Sequence, residues 1–374
     1  MSDKPTQPFY QAYFEEKEVA DRAEKYGFPQ PWLVEILVWD FEILRQLLLI
    51  SDSFVLKGGA AAQMHLPPDQ QRASIDIDLI TSLKPKEIGE IFDKLAKLAF
   101  VKSVKRHEPK KAKHTLPMVT YLVDLPSATK KEGIQLKVDI LFEEIGSYRV
   151  IVIEDKELFA LRTGKGTPCI TIGSLTADKL LTLASKSIGI SEGRESELPK
   201  HIYDLNRLLD LIKSKDFEDL LFSFGRIAQA EMKFRGLSHD LNDVINHIDE
   251  TLDEFSKANI EGNRAKKLIN DFQSAYVSKD AQASLQVWTI NCLRLRYLLK
   301  IIREVMINKK GDEESFKRFT ECEAELAALA KKSAKDRKEL RESWLSKAKD
   351  KIPYWKQLKG LSEERLFLEL KQLE

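Results

Sequence analysis

Ser74-Ile75-Asp76-Ile77-Asp78-Leu79-Ile80 is the stretch on which the reading of this chain turns. Ile75, Ile77 and Leu79 alternate with Asp76 and Asp78, the period-two pattern of a strand whose faces differ. Residues i and i+2 of a strand point the same way, so the two carboxylates share a face. Two like charges about 4 Å apart repel by about 4 kcal/mol at an effective dielectric of about 20, and such a pair attracts a cation. Mg2+ suits it, because that ion takes oxygen ligands and commonly joins one or two carboxylates to a substrate phosphate. Standing alone, the same Asp-x-Asp also fits the solvated face of an amphipathic strand.

Upstream, the short apolar run Phe54-Val55-Leu56 meets Lys57-Gly58-Gly59, and Ala60 to His65 reads as a short helix stopped by Pro67-Pro68. Glycine lets a backbone adopt positive φ and approach a ligand closely. The N–H groups of the helix behind it present the positive end of the helix dipole, which suits a triphosphate. A tight turn needs the same glycines. Downstream, Asp139 interrupts the apolar strand Leu136-Lys137-Val138-Asp139-Ile140-Leu141-Phe142, where strand propensity and burial both disfavour an acid. It is either an edge-strand acid facing water or a third carboxylate completing a two-metal site. In such a site one ion lowers the pKa of an attacking hydroxyl and the other holds the triphosphate. The combination is more specific than its parts. Paired glycines, 16 residues, Asp-x-Asp on a strand and one Asp on a later strand make the pattern of a nucleotidyltransferase.

These segments also resemble the AbiEii-type nucleotidyltransferases, toxins of type IV toxin–antitoxin and abortive-infection systems, with the MenT-type toxins as relatives. The resemblance lies in Phe54-Val55-Leu56-Lys57-Gly58-Gly59-Ala60-Ala61-Ala62, Arg72-Ala73-Ser74-Ile75-Asp76-Ile77-Asp78-Leu79, Lys137-Val138-Asp139-Ile140, Ala177-Asp178-Lys179-Leu180-Leu181 and Lys200-His201-Ile202-Tyr203-Asp204-Leu205, across roughly residues 35–215. It implies phosphate binding by Gly58 and Gly59, with Lys57, Arg72 and Ser74 beside them. It implies metal binding by Asp76, Asp78 and Asp139, and triphosphate contact by Lys179. Asp204 would be the family's distal aspartate, and Ser74 matches a serine that accepts a phosphate in some relatives. The implied reaction moves NMP from a Mg-NTP to RNA, such as the 3′ end of tRNA, with growth arrest or phage defence as the outcome and an antitoxin as a partner. Two positions depart from the pattern. Lys200-His201 stands where Arg-Asp is usual, and lysine lacks arginine's bidentate fork; Ala60 stands where threonine often follows the glycines. A nucleotide-binding regulatory module with little turnover is the alternative, and the presence of all three acids argues against it.

Around this core the chain changes character. Of its 13 prolines, all but Pro353 lie at or before Pro199, and from Leu175 onward helical spacing dominates, as expected where proline is excluded from helix interiors. The expected fold is α+β: a nucleotidyltransferase-type mixed sheet with flanking helices, then a large all-helical C-terminal domain. Residues 1–50 read as helices packing on the core, 51–173 as the α/β core and 174–374 as a helical domain closing the nucleotide cleft. Lys179 and Lys186 fall on one face of a helix expected over 175–187 and could line a phosphate cleft, or be solvated surface lysines. A single helix is expected over 313–348.

A net charge of +1 gives no global field toward nucleic acid or membrane, so such contact needs a local patch. The most basic run, Lys102, Lys105, Arg106, Lys110, Lys111 and Lys113 with His107 and His114, reads as a surface loop or hairpin that could grip RNA phosphates. Arg162-Thr163-Gly164-Lys165-Gly166-Thr167 lacks P-loop spacing and reads as a hairpin turn. Trp288, Tyr297, Trp344 and Trp355 are expected to pack in the core. Three well-separated cysteines suggest neither a disulfide framework nor a zinc site. No apolar stretch is long enough to span a bilayer, and the expected location is cytoplasmic.

Overall fold

In the computed structural model, residues 8–107, 117–143, 145–164, 166–352 and 355–373 are described. The first elements are helices Glu16–Lys25 (α1) and Trp32–Ile50 (α2), strand Val55–Lys57 (β1), helix Gly58–His65 (α3), strand Asp76–Thr81 (β2) and helix Pro85–Leu95 (α4). Strands Ser103–His107 (β3), Met118–Leu125 (β4), Ile134–Phe142 (β5), Val150–Ile153 (β6) and Thr167–Ile170 (β7) follow. The rest is helical: Ile172–Thr182 (α5), Leu198–Leu209 (α6), Ser214–Arg235 (α7), Leu241–Ser256 (α8), Arg264–Tyr276 (α9), Leu285–Met306 (α10), Asp312–Ala330 (α11), Ala334–Lys351 (α12) and Glu363–Leu373 (α13). A mixed sheet followed by a large helical region is therefore the architecture, as the proline distribution and the change of period indicate.

The seven strands form one sheet in the order β3-β4-β5-β2-β1-β7-β6. β2 runs antiparallel to β1 and parallel to β5. On β2 and β5 the inward residues Ile77, Leu79, Leu136, Val138 and Ile140 are fully buried, and period-two patterning turns the intervening acids to the other face. Helix α4 packs Phe92 flat on Tyr121 of β4, with centroids 3.8 Å apart. Helix α2 contacts β2, β5 and α4. Leu33 through Leu44 are all buried, so it is covered on every side. That forces its polar residues to find partners. Glu35 accepts hydrogen bonds from the Ala128 N–H at 2.7 Å, the Thr129 N–H at 3.2 Å and the Ser127 hydroxyl at 2.7 Å, and from the Thr129 hydroxyl. One buried carboxylate thus fixes the turn between β4 and β5.

The basic run begins as Ser103–His107, an edge strand paired antiparallel with β4, the hairpin of the two alternatives, while Lys110, Lys111, Lys113 and His114 lie outside the described residues. Two expectations need correction. Helix α5 stops at Thr182 instead of continuing through residue 187. The Thr182 carbonyl accepts from the Ile190 N–H at 2.9 Å as the Ser185–Gly189 stretch turns back, and serine, glycine and isoleucine there are poor helix propagators. The helix expected over 313–348 is two helices, because the Ser333 hydroxyl accepts from the Asp336 N–H and caps a new start. The segment after β6 does connect two antiparallel strands, with Arg162 forked onto Asp155 at 2.6–3.0 Å; Lys165 lies outside the described residues.

The chain divides into two compact units. The first comprises residues 1–179, 207–238 and 270–282 and carries the sheet; the second comprises 180–206, 239–269 and 283–374. These are not the contiguous ranges read from the sequence, because the chain passes between units within α5, α6 and α9. In the second unit α10 packs against α8, α11 and α13, and Arg296 joins Asp249 and Asp253 at 2.8 and 3.0 Å. Trp288 and Tyr297 are buried, and Trp344 and Trp355 pack against Ala348, Ile352, Leu358 and Leu366. The three cysteines are buried and free. No helix among the described residues is long and apolar enough to cross a membrane.

Glu35→Ala takes away an acceptor that four loop donors share. It is expected to destabilise the sheet-bearing unit by about 3 kcal/mol, read as a lower denaturation midpoint.

Candidate active site

The register builds the site. Parallel pairing sets Asp76 beside Lys137 and Asp78 beside Asp139. Antiparallel pairing sets Lys57 beside Asp78 and Thr120 beside Asp139. Lys57, Asp78, Asp139 and Thr120 therefore form a row across four strands, with Asp76 and Lys137 one step along the same face. Asp139 is engaged at both oxygens: Oδ1 accepts from the Thr120 hydroxyl at 2.5 Å, and Oδ2 accepts from Lys137 Nζ at 2.5 Å. Burial would lower the Lys137 pKa, but Asp139, then Asp76 and Asp78, hold it above the ordinary lysine value. Asp76 and Asp78 are half-buried. Among the described residues no group of three or more His, Cys, Asp or Glu side chains is arranged as a ready metal cage. The carboxylate oxygens of Asp76 and Asp78 are donors of the kind a hard cation takes.

The glycines do what their position requires. Gly58 opens α3 with φ +71°, and a Cβ there would overlap the Asp78 carboxylate, 2.6 Å from its Cγ. At Gly59 a Cβ would meet Ser74 Oγ at 2.6 Å and Arg72 Nη2 at 3.2 Å. The backbone of α3's first turn is thus pressed against Asp78, Ser74 and Arg72, all on the segment leading through β2. Gln63 and Gln71 make this fit rigid. Gln63 donates to the Gly59 carbonyl at 3.0 Å and accepts from the Arg72 N–H at 2.9 Å. Gln71 donates to the Gln63 and Leu66 carbonyls at 3.0 and 2.9 Å. Arg72 and Ser74 are almost fully buried.

Lys57 Nζ lies 2.8 Å from Asp178 Oδ1 and 5.8 Å from the Tyr148 ring centroid. Burial works against its charge, yet Asp178, then Tyr148 and Asp78, hold its pKa well above the ordinary value. Tyr148 donates to Glu143 at 3.1 Å, and burial pushes the Glu143 carboxyl up. Lys179, next to Asp178 on α5, is fully buried in the first unit. Asp204 is fully buried on α6, and Lys186 pairs with Glu250 at 2.7 Å on the surface; both belong to the second unit. Since α5 ends at Thr182, Lys179 and Lys186 do not share a helix face. At the departures from the family pattern, Lys200 pairs with Glu197 at 3.5 Å and His201 Nδ1 lies 3.3 Å from the Thr182 hydroxyl.

Several contributors gave little sequence signal. Lys137 and Thr120 become visible only through strand register, although Lys137 lies one strand period from Asp139. Gln63 and Gln71 read as ordinary helix and loop residues. Asp40, inside α2, is fully buried with neither carboxylate oxygen hydrogen-bonded. Burial, then the charges of Asp76 and Asp78, push its pKa well above the usual 3.8.

A mixed sheet with an Asp pair on one strand, a third Asp beside it and a glycine-led helix against the pair defines a nucleotidyltransferase. Residues 42–287, more than half of the chain, match the family described as nucleotidyl transferase AbiEii toxin of type IV toxin–antitoxin systems, and the chain belongs to that family. Among solved structures it is similar to JHP933 from Helicobacter pylori, with 17% identity over 76% of this chain and 97% of that one, TM-score 0.37. It is also similar to MenT4, a nucleotidyltransferase toxin from Mycobacterium tuberculosis, with 14% identity over 78% and 98%, TM-score 0.43. No curated protein matches the chain.

Two substitutions test this geometry. Gly58→Ala is expected to cut nucleotidyl transfer by about 100-fold, since small displacements in an active site have effects of that size; Gly89→Ala, with open space around it, is the control that leaves the rate unchanged. Asp40 has its pKa raised on folding, so the stability it contributes is present below pH 3.8 and is lost as pH rises toward its folded pKa. Asp40→Asn should therefore gain melting temperature over the wild type as pH rises from about 4 to about 8; a constant difference would remove Asp40 as the cause.

Proposed function

We propose that this chain transfers a nucleoside monophosphate from a Mg2+-bound NTP to an RNA hydroxyl, with the 3′ end of tRNA as the acceptor and growth arrest as the result. The observation that carries the reading is the placement of Asp76 and Asp78 against the glycine-led start of α3, with Asp139 on the adjoining strand. The acceptor oxygen forms a bond to the α-phosphorus as the bond to the bridging oxygen breaks, and pyrophosphate leaves.

The chain's own groups divide this work. The amides opening α3 face the phosphates with the positive end of the helix, and the Arg72 guanidinium beside Gly59 adds fixed positive charge. Asp76 and Asp78 would hold the Mg2+, which supplies neutralisation of the triphosphate and of the charge developing in transfer. Asp139, oriented by Thr120 and Lys137, is the acid placed to draw the proton of the acceptor hydroxyl. Lys179 is assigned to the triphosphate and Asp204 to the distal site by the family pattern. Membership of a toxin–antitoxin family supports a cognate antitoxin as partner.

Incubation of the protein with each NTP labelled on the α-phosphorus, Mg2+ and total RNA tests the reading. Label is expected in RNA from one NTP, in tRNA-sized species, and is expected to vanish in Asp76→Ala. Binding of nucleotide without transfer to any acceptor would favour a regulatory module instead. Asp139→Asn is expected to keep its melting temperature and lose transfer by about 100-fold or more, the scale of general acid–base contributions. Wild-type rates in that variant would take Asp139 out of the reaction.

A further inference from the structure

We propose that the outer edge of β6 is where two copies of this chain join, their sheets continuing into one another through antiparallel β6–β6 pairing. The inference is independent of the proposed nucleotidyl transfer and concerns the end of the sheet rather than its acidic face.

The two ends of the sheet are built differently. β3 closes one end with Lys105, Arg106 and His107 exposed, and charge of this kind keeps an open strand edge from pairing with another chain. β6 closes the other end with Val150, Ile151 and Val152, which are 40%, 48% and 52% exposed. No proline, bulge or lysine interrupts Val150-Ile151-Val152-Ile153. A β-branched apolar strand left at an edge is the form that takes up a further strand.

The backbone of that edge is open as well. Alternate residues of an antiparallel strand turn both N–H and C=O to the same neighbour. The Arg149 carbonyl accepts from the Thr171 N–H at 2.8 Å, so Arg149, Ile151 and Ile153 face β7. Pro168, which has no N–H to give, lies opposite Val152, in agreement with that phase. Val150 and Val152 therefore point their N–H and C=O away from the sheet, to a side where no strand lies among the described residues.

Charge selects the occupant. Arg149 stands before the apolar run, its Cζ 3.7 Å from the Phe222 ring centroid and its side chain 53% exposed. Glu154 and Asp155 follow the run and are exposed, Asp155 being also forked onto Arg162. A strand that is basic at its start and acidic at its end repels a parallel copy, which sets like beside like, and complements an antiparallel one. A two-fold axis perpendicular to the sheet preserves its faces, so the residues that meet across it are an even number apart in sequence. Centred on Val152, it sets Val152 against its own counterpart, Ile151 against Ile153, and Arg149 against the acidic end of the other copy. The outward backbone groups of Val152 then bond to their counterparts, and those of Val150 to Glu154.

Sedimentation velocity of the full-length protein over a range of concentrations tests the pairing. The wild type is expected to rise from the mass of one chain toward twice that mass. Val152→Lys sets two ammonium groups together at the axis, and is expected to stay at one chain with an unchanged melting temperature. Val152→Cys is expected to form a disulfide-linked dimer under mild oxidation, since residues opposed on neighbouring strands have Cα atoms within disulfide reach. Ile260→Cys, exposed outside the sheet, is expected to cross-link far more slowly, and the native cysteines are buried and free. A wild type that keeps the mass of one chain at every concentration would overturn the proposal and leave the edge to a strand of a different protein. A dimer that survives Val152→Lys, or one that Val152→Cys does not cross-link, would overturn it as well. The wild-type mass requires no variant, and none of these results bears on nucleotidyl transfer.

Discussion

Like charges gathered on one face of a sheet repel unless something positive stands among them, and the in-register parallel pairing of β2 with β5 is what arranges both the charges and their compensation. Asp76 and Asp78 on one strand meet Lys137 and Asp139 on the next. A slip of a single residue would carry Asp139 to the face that holds Val138 and put an acid into the apolar core. The fully buried Ile77, Leu79, Leu136, Val138 and Ile140 resist that slip, so the same residues that stabilise the sheet also set the chemistry opposite them. Glu35 reinforces the register from outside, because it holds the turn from which β5 starts.

Around this frame, buried polar side chains act as spacers. Gln63 and Gln71 fix the distance between α3's first turn and the approach to β2 with hydrogen bonds of 2.9–3.0 Å. A buried amide that satisfies its donors and its acceptor at once tolerates little movement. Asp40 is the counterexample: its carboxyl is buried without a hydrogen bond and sits in the field of two acids of the site. It costs stability and marks a place where the fold accepts strain next to its functional face.

Much of this was legible in the sequence because it is written in periodicity. The period-two stretch Ser74–Ile80 and the apolar strand around Asp139 located the acids, and the Gly58-Gly59 step located the start of α3. What stayed hidden depends on which strand lies beside which. Lys137 in sequence is one residue of an apolar strand; its role needs the pairing with Asp76. Ser103–His107 carries almost no apolar alternation, being an edge strand with one open side, so its sequence does not separate loop from hairpin. The end of α5 at Thr182 and the break at Ser333 are decided by local capping and by chain reversal, which compete with helical spacing rather than contribute to it. The two-unit division eluded a linear reading because three helices carry the chain across it.

The overlap at Gly58 has a consequence for how such a site can change. The space a methyl group would take at that position is already filled by the Asp78 carboxylate, so the two residues draw on the same few cubic ångströms. No larger side chain can enter at one position unless the acid at the other is shortened or swung aside, and either change dismantles the pair with Asp76. Variation by single steps is therefore closed at both places together, and remodelling of the site is left to residues such as Thr120 and Lys137, which border the acids without sharing their volume.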